Sequence, residues 1–351
     1  MPSSKPPPRS RTPFGLRLPE LDFDLASAAR RVIETSLGVV TGDRVLIVVD
    51  GLRELLGATL AEMARTVGAE AEVVVLDKLA RRPVRSLPEQ LRDELVRAQA
   101  SILLVGFEEG EWQMRLEYVR LVAELKLRHA HMIGVGRRTM LAGFSVDPQR
   151  IVDATRAVRT RLRPDSVLRL RSPAGSDLEV KLAPSCRWQE RVGIVRPGRW
   201  ENLPSGELFT CPSSVEGVFV ADASMGGSQG GTAGILARSP VKVEIKGGVC
   251  RSVQCVDRVL THAVEAFMRA ERNTDRVGMV VLGTNVGMRD PTGEAVSDQK
   301  LPGLHVALGA TLGEQTGATW DAPGQLLLAG TRADVDLDGA ALIRQGRYLV
   351  L

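Results

Sequence analysis

Residues 45–51 read VLIVVDG, an unbroken apolar run that ends in an acid and a glycine. Apolar runs of the same kind recur at residues 72–77, 101–106 and 131–135. Such continuous aliphatic runs are typical of strands that are buried on both faces, as the strands of a parallel sheet are. The recurring runs therefore predict neighbouring strands of one parallel sheet.

Amphipathic helical patterns separate these runs. We expect a first helix over residues 24–37 and further helices over 54–67, 88–98 and 115–127. Strands that alternate with helices form right-handed βαβ units, in which helices cover both faces of the sheet. The pattern predicts a Rossmann-like open α/β domain over residues 14–155. No GxGxxG follows the first strand, so a dinucleotide site is not expected.

The second half of the chain has a different pattern. Apolar and polar residues alternate at residues 167–171, 178–182 and 241–245. This alternation predicts antiparallel strands with one buried and one solvated face. We therefore place a β-rich α+β domain over residues 156–351. A glycine-rich stretch at 226–231 lacks the GK[ST] of a phosphate loop, and we interpret it as a flexible loop at a pocket mouth.

Composition limits the classes of partner. Residues 1–13 are rich in Pro, Ser and Arg and are predicted to form a disordered tail. Aromatic residues make up 4% of the 351-residue chain, which argues against a surface that stacks nucleic-acid bases. The four cysteines form no CxxC pair, and no apolar run is long enough to span a membrane. We expect a cytoplasmic protein with no nucleic-acid or membrane partner. Arginines at 156–163 form either a solvated face or a contact for an acidic partner.

Four stretches of the second half carry a resemblance to a known family. They read LPSGELFTCP (203–212), GMVVLGTN (278–285), GLHVALG (303–309) and TWD (319–321). In this order they resemble the PxGE(V/I)FTAP, GExxxGTN, G(T/S)xHxALG and HxD motifs of the aminopeptidase T-like metallo-aminopeptidases (peptidase family M29). The resemblance extends over nearly the whole chain. It implies a Rossmann-like domain followed by a β-rich domain that carries a two-metal site.

The resemblance also implies which residues would hold metal. It places ligands at Glu207, His305 and Asp321. Where the family has a second glutamate this chain has Met279, and where it has the histidine of HxD this chain has Thr319. A thioether is a poor ligand for Zn, Co or Mn. A two-metal hydrolase activates a water between its ions. We therefore expect a degenerate site with no cofactor or, alternatively, with one divalent ion of Zn, Co, Mn or Fe.

Each proposed ligand also has an ordinary structural interpretation. A glutamate after a turn, an aspartate before Pro-Gly and a lone histidine in an apolar strand are more often structural than ligating. Acids outside the motifs, namely Glu294, Asp298 and Glu314, would restore a metal site if the motif alignment is wrong. We expect one binding cleft to contain Glu207, Met279, Asn285, His305, Thr319, Trp320 and Asp321.

Two functions are consistent with these features. The first is a catalytically degenerate peptide-binding protein, whose cleft pairs with the main chain of a peptide and escorts a precursor peptide in peptide natural-product biosynthesis. The second is a metal-dependent enzyme, either a peptide hydrolase or a ring-opening dioxygenase of the same fold with one metal. Thr319 in place of histidine counts against the dioxygenase. The resemblance further implies a homodimer formed through the second domain. We favour peptide binding without catalysis.

Overall fold

A computed structural model of the protein describes residues 22–227 and 232–349. The predicted disordered tail, residues 1–13, lies outside the described residues. So do residues 228–231, which make up most of the predicted glycine-rich loop.

Helices and strands alternate in the first half, and strands dominate the second. The α-helices are α1 (Phe23–Arg30), α2 (Glu54–Thr66), α3 (Leu76–Leu79), α4 (Glu89–Arg97), α5 (Trp112–Glu124), α6 (Arg137–Gly143), α7 (Pro148–Arg159), α8 (Arg258–Ala270), α9 (Ala295–Asp298) and α10 (Gly313–Thr316). A π-helix (Arg31–Ser36) continues α1, and a 3-10 turn (Gly51–Arg53) precedes α2. The strands are β1 (Arg44–Val49), β2 (Glu70–Val75), β3 (Ala100–Leu104), β4 (Arg128–His131), β5 (Val167–Arg171), β6 (Asp177–Leu182), β7 (Gln189–Arg191), β8 (Arg199–Asn202), β9 (Glu207–Thr210), β10 (Pro212–Ala221), β11 (Ser224–Gly227), β12 (Thr232–Ile235), β13 (Val241–Lys246), β14 (Val249–Gln254), β15 (Val277–Gly283), β16 (Gly303–Gly309), β17 (Gln325–Ala329), β18 (Asp334–Leu337), β19 (Ala340–Arg344) and β20 (Arg347–Tyr348).

The first half forms the predicted parallel sheet. In the described part of the chain its strand order is β2-β1-β3-β4-β8, and each neighbouring pair is parallel. Val45 and Ile47 face a core that contains residues of α1, α2 and α6. Leu46 and Val48 face a second core that contains residues of α4 and α5. Because helices cover both faces of β1, this strand is apolar at successive positions.

The fourth strand differs from its prediction. The apolar run at 131–135 predicted a strand, but β4 ends at His131 and the rest of the run forms the turn that follows. Because His129 and His131 are polar, the sequence pattern did not predict a buried strand at these positions. Both side chains are nevertheless buried, and their ring nitrogens form a hydrogen bond with each other. The last strand of this sheet, β8, comes from beyond the predicted boundary at residue 155. That boundary stays a prediction.

The second half forms two antiparallel sheets, which confirms the predicted α/β plus β-rich fold class. Among the described residues, one sheet has the order β14-β13-β10-β6-β5-β18-β19-β20 and the other has β12-β11-β17-β16-β15-β9-β7. One apolar cluster contains Val180 and Val215 from the first sheet and Val280 and Val306 from the second. The two sheets therefore pack around a shared core. None of the described helices is both long and apolar enough to cross a membrane.

The turn after β15 joins the two halves. The buried Asn285 amide nitrogen donates to the carbonyls of Gly143 (3.0 Å) and Ser205 (2.8 Å). Next to it, Thr284 shares a buried 2.6 Å hydroxyl–hydroxyl hydrogen bond with Thr155 of α7. Asn285 was predicted as a cleft residue, and the structure places it at this joint, outside the lining of the main cavity.

We predict that Asn285→Ala lowers the free energy of unfolding by about 3 kcal/mol. The substitution leaves two buried carbonyls without their donors, and each such loss costs roughly 1–3 kcal/mol. Urea denaturation measures the change. Gln149→Ala removes an exposed side-chain amide that donates to Asp153, and it serves as the control. Equal effects of the two variants would contradict the assigned role of Asn285.

Candidate functional site

A cavity of about 330 Å³ lies between the parallel sheet and the second antiparallel sheet. Phe107, Gly134 and Leu203, which follow the carboxyl ends of β3, β4 and β8, line one side, and Phe209 and Val281 line the other. Ligands of open α/β sheets bind outside the carboxyl ends of the strands. Small-molecule sites begin at roughly this volume. The cavity is therefore the candidate functional site.

One wall of the cavity is aromatic and cationic. Arg115 of α5 is 6% exposed, and its Cζ lies 5.6 Å from the centre of the Phe107 ring and 5.3 Å from that of Trp112. Its Nε and Nη2 have no hydrogen-bond partner among the described residues. Burial lowers the pKa of the Arg115 guanidinium, but arginine keeps its charge at neutral pH. The wall thus contains an unpaired cation beside two aromatic rings.

A chain of buried polar groups reaches the same wall. The Ser101 hydroxyl lies 2.9 Å from His129 Nδ1, and His129 Nε2 lies 3.3 Å from His131 Nδ1. Burial lowers the pKa of His129 to about 3. Burial, together with the charges near His131, holds the pKa of that ring well below its ordinary value. Both imidazoles are therefore neutral at pH 7, and His131 lines the cavity.

The acids of the cavity have different environments. Glu201 accepts hydrogen bonds from the Gly193 amide (2.8 Å) and the Ser205 hydroxyl (3.3 Å), and burial raises the pKa of its carboxyl. Burial also raises the pKa of Glu294 to about 7. In the described part of the chain, no hydrogen bond or ion pair holds the Glu294 carboxyl. Glu294 is therefore the acid of this cavity that changes its charge near neutral pH.

Glu207 lines the cavity and pairs with a buried lysine. Lys300 is fully buried, and its Nζ lies 3.3 Å from Glu207 Oε2, an ion pair without hydrogen-bond geometry. The same ammonium donates to the Val296 carbonyl. Burial lowers the pKa of Lys300, while Glu207 acts in the opposite direction. The carboxylate that the resemblance assigns to two metals thus already has a cation beside it.

The structure brings together only part of the predicted cleft. Glu207 and Met279 line the cavity, whereas His305, Thr319, Trp320 and Asp321 do not. The remaining predicted cleft residue, the joint amide Asn285, is outside it as well. As a functional set these residues stay a prediction.

The residues outside the cavity have structural contacts of their own. His305 is buried, its Nε2 donates to the Leu301 carbonyl (2.8 Å) and its Nδ1 accepts from the Gly330 amide (3.3 Å). Burial lowers the pKa of His305 to about 4. Asp321 is exposed, and its Oδ1 accepts from the Thr311 amide (2.7 Å). The Trp320 ring packs under the Arg276 guanidinium at 4.0 Å.

The acids and arginines that the sequence left open are also placed. Asp298 accepts hydrogen bonds from the Gly293 amide (3.0 Å) and from both the amide and hydroxyl of Thr292, so it is not a free ligand. Glu314 is exposed and outside the cavity lining. In the arginine cluster, Arg163 pairs with Asp338 at 2.9 Å on the surface.

Sequence reasoning missed Arg115 and His131, and it named Glu294 only as an alternative ligand. The alternation of His129 and His131 with apolar neighbours was a usable signal, since polar residues inside a buried strand need partners. Arg115 gave no such signal, because an arginine in an amphipathic helix is normally solvated.

Comparisons with known proteins agree with this architecture. A family model described as NicX, 2,5-dihydroxypyridine 5,6-dioxygenase, matches residues 138–290. The structure of 2,5-dihydroxypyridine dioxygenase from Pseudomonas putida KT2440 is similar, with a TM-score of 0.63 and 17% identity, over 94% of this chain and 98% of that one. Wild-type AmpT from Thermus thermophilus is similar with a TM-score of 0.63 and 18% identity, over 93% of this chain and 99% of that one. No curated protein matches the sequence.

The chain has the aminopeptidase T-like fold. At these identities the likeness shows the fold and leaves the activity open. The motif resemblance in the second half therefore gave the correct architecture, including the order of its two parts.

The residues present do not fit the metal that this fold implies. No group of three or more His, Cys, Asp or Glu side chains in residues 22–227 and 232–349 has an arrangement that would hold an ion. Glu207 faces the Lys300 ammonium, and both ring nitrogens of His305 are bonded to the backbone. A divalent ion beside Glu207 would meet a like charge at short range.

We predict that Lys300→Met lowers the free energy of unfolding by about 3–5 kcal/mol, because it leaves the Glu207 carboxylate buried without its counter-charge. The double variant Lys300→Met/Glu207→Leu recovers most of this loss, since an apolar pair of similar volume replaces the ions. Chemical denaturation of the two single variants and the double variant measures the coupling. Arg269→Ala breaks an exposed ion pair with Glu265 and sets the background, at about 0–1 kcal/mol. Additive single effects would contradict the ion pair.

Proposed function

We propose that this protein is an enzyme that moves protons on a small ligand held in the cavity, with Glu294 as the acid–base group and without a metal. One observation carries the proposal: an unpaired cavity carboxyl whose pKa burial raises to about 7. General acid–base catalysis works best when the pKa of the group lies near the working pH. Perturbed carboxyls of this kind are concentrated at functional sites.

The shape of the cavity supports a small, flat ligand. A volume of about 330 Å³ holds a ring compound and does not hold a folded peptide segment. The rings of Phe107, Trp112 and Trp200 line it, and such rings stack on planar ligands. The matching family model and one structural relative are both named for a dihydroxypyridine, which is also a planar ring.

The surroundings of Glu294 suit a proton-transfer role. Glu294 stands at the start of the short helix α9, opposite Gly134 in the turn after β4. A Cβ at Gly134 would lie 2.6 Å from Glu294 Oε2, so the glycine leaves the space that the carboxyl occupies. The charge of Arg53 lowers the pKa of Glu294 and that of Asp298 raises it, while burial is the largest influence. The carboxyl thus occupies the space beside Gly134 and is not neutralised by a partner among the described residues.

A metal-dependent reaction, whether hydrolysis or ring opening, has weaker support. The family match favours ring opening, because the family model is described as a 2,5-dihydroxypyridine 5,6-dioxygenase. The Lys300 ammonium beside Glu207 and the backbone-bonded His305 oppose it. Proton transfer by this chain's own residues uses the groups that are present.

Peptide binding is the second candidate. Strand β7 is the outermost strand of its sheet in the described part of the chain, and its Arg191 lines the cavity. A peptide could pair with this edge and place one terminal residue in the cavity. Escort of a precursor peptide and a homodimer remain finer expectations from the sequence.

We predict that the protein catalyses exchange of carbon-bound hydrogen in small ring compounds dissolved in D₂O. Proton NMR follows the loss of ligand signals, and the measurement is made with and without a chelator. Glu294→Gln abolishes the exchange, because an amide cannot take up the proton. Glu89→Gln, an exposed glutamate on α4, keeps it. Exchange that survives in Glu294→Gln, or that disappears with the chelator and returns with a metal, would refute the proposal.

The raised pKa of Glu294 also predicts how stability depends on pH. Its folded pKa of about 7 exceeds the ordinary value of 4.5, so the folded state binds more protons between these values. Stability is therefore lost as pH rises through this window. Glu294→Gln should match the wild-type melting temperature near pH 4 and exceed it at pH 8. A constant difference across this range would show that the carboxyl titrates normally.

For the peptide candidate, we predict that an extended peptide binds in calorimetric titration and that N-methylation of its backbone amides abolishes binding. Main-chain pairing requires these N–H groups. Binding that tolerates N-methylation, or no binding across a peptide library, would remove this candidate.

A further inference from the structure

The cavity contains a polar cluster that points to the chemical class of its ligand. We propose that the ligand is a planar ring compound with a carboxylate, which the Arg115 guanidinium binds. This inference rests on the proposed function only in placing the ligand in the same cavity. It concerns recognition of the ligand and not the proton transfer.

In residues 22–227 and 232–349, Arg115 forms no ion pair with an acid. Glu111, one helical turn before it, is already paired with Arg82: Glu111 Oε2 lies 2.6 Å from Arg82 Nη2, and Glu111 Oε1 lies 2.8 Å from Arg82 Nε. Glu111 also accepts the Val84 amide at 3.0 Å. Buried charges are paired or bind an ion or ligand. A ligand anion in the cavity would complete the environment of Arg115.

The other acids of the cavity do not supply this anion. Glu207 is paired with Lys300 at 3.3 Å, and Glu201 is held by the Gly193 amide and the Ser205 hydroxyl. Glu294 forms no ion pair with Arg115 in the described part of the chain. Burial is the largest influence on the pKa of Arg115 and lowers it. Of the neighbouring charges, Glu111 raises this pKa and Arg82 lowers it. The wall is therefore electropositive toward the cavity. It remains so while Arg82 neutralises Glu111.

The serine–histidine chain sets the hydrogen-bonding character of His131. His129 Nδ1 lies 2.9 Å from the buried Ser101 hydroxyl and 3.2 Å from the Ser101 carbonyl. Because a carbonyl only accepts, the proton of the neutral His129 ring is on Nδ1, and its Nε2 accepts from His131 Nδ1 at 3.3 Å. His131 Nε2 is then an acceptor. That nitrogen has no partner in the described part of the chain.

Arg115 and His131 both line the cavity, and the guanidinium gives this wall its positive charge. The planar guanidinium matches the two oxygens of a carboxylate. The Phe107 and Trp112 rings, which both lie near the Arg115 guanidinium, suit a flat ligand body.

Calorimetric titration of the full chain with benzoate and with its neutral isostere benzamide tests the recognition. We expect saturable benzoate binding, and at least tenfold weaker binding of benzamide. Arg115→Met weakens benzoate binding at least tenfold, whereas Arg120→Met, an exposed arginine on the same helix α5, leaves it unchanged. Equal binding of the two probes, no benzoate binding, or an unaffected Arg115→Met would overturn the proposal.

A folding control comes with the same variant. Arg115→Met replaces a buried, unpaired cation with an apolar side chain of similar length, so the ligand-free variant should melt at or above the wild-type temperature. A lower melting temperature would mean that Arg115 has a partner within the protein, and this also counts against the proposal.

The outcomes also separate this inference from the proposed function. Benzoate binding that depends on Arg115, together with exchange that survives in Glu294→Gln, would retain the carboxylate site and reject Glu294 as the acid–base group. Exchange that depends on Glu294 and is insensitive to Arg115→Met would do the reverse.

Discussion

The close approach of two turns, one at Gly206 and one at Asn285, fixes how the two halves of the molecule pack together. Gly206, with φ +117°, lies so near the turn after β15 that a Cβ on it would be 2.8 Å from the Asn285 amide nitrogen. The Asn285 side chain fills the same region by donating to carbonyls from both halves. Only glycine adopts this backbone conformation readily. This contact therefore requires glycine at position 206. It places β8 and β9, which follow one another in the chain, on opposite sides of the cavity.

The electrostatics of the cavity follow from that joint. Lys300 precedes β16, and its carbonyl accepts the Asn285 amide at 3.0 Å, so its side chain is directed toward Glu207 at the start of β9. Two buried cations, Lys300 and Arg115, therefore lie near one small space. Lys300 has its carboxylate, and Arg115 has none among the residues that the structure describes. Lys300 and Glu207 therefore form a structural ion pair. Arg115 has no such pair and is free to bind a ligand.

Sequence reasoning recovered the architecture because the architecture depends on periodic features. The apolar runs at β1 to β3 are local patterns that predict strands buried on both faces. The alternation at β13 is a local pattern that predicts a strand with one solvated face. The glycines of the matched motifs carried further information. Gly283 would meet the Leu301 carbonyl at 2.0 Å if it had a Cβ, and Gly309 would meet the Gly324 carbonyl at 2.2 Å. The motif resemblance succeeded for the fold since these positions are joints of the fold.

The same resemblance gave less for the site, for a physical reason. A residue of a motif can bind a metal in the cavity only if its side chain reaches the cavity. His305 lies opposite Val281 in the β15–β16 register, and Val281 lines the cavity, but the histidine bonds to the backbone at Leu301 and Gly330. Conversely, Arg115 and His131 come from the first half of the chain, and no local pattern links them to Glu294, which follows them by more than 150 residues. Such a site exists only after the two halves dock, so its chemistry must be argued from contacts between them.

In this molecule those contacts bring together an unpaired guanidinium, a neutral imidazole and a carboxyl that titrates near pH 7. Anion recognition and proton transfer therefore have separate groups within one cavity.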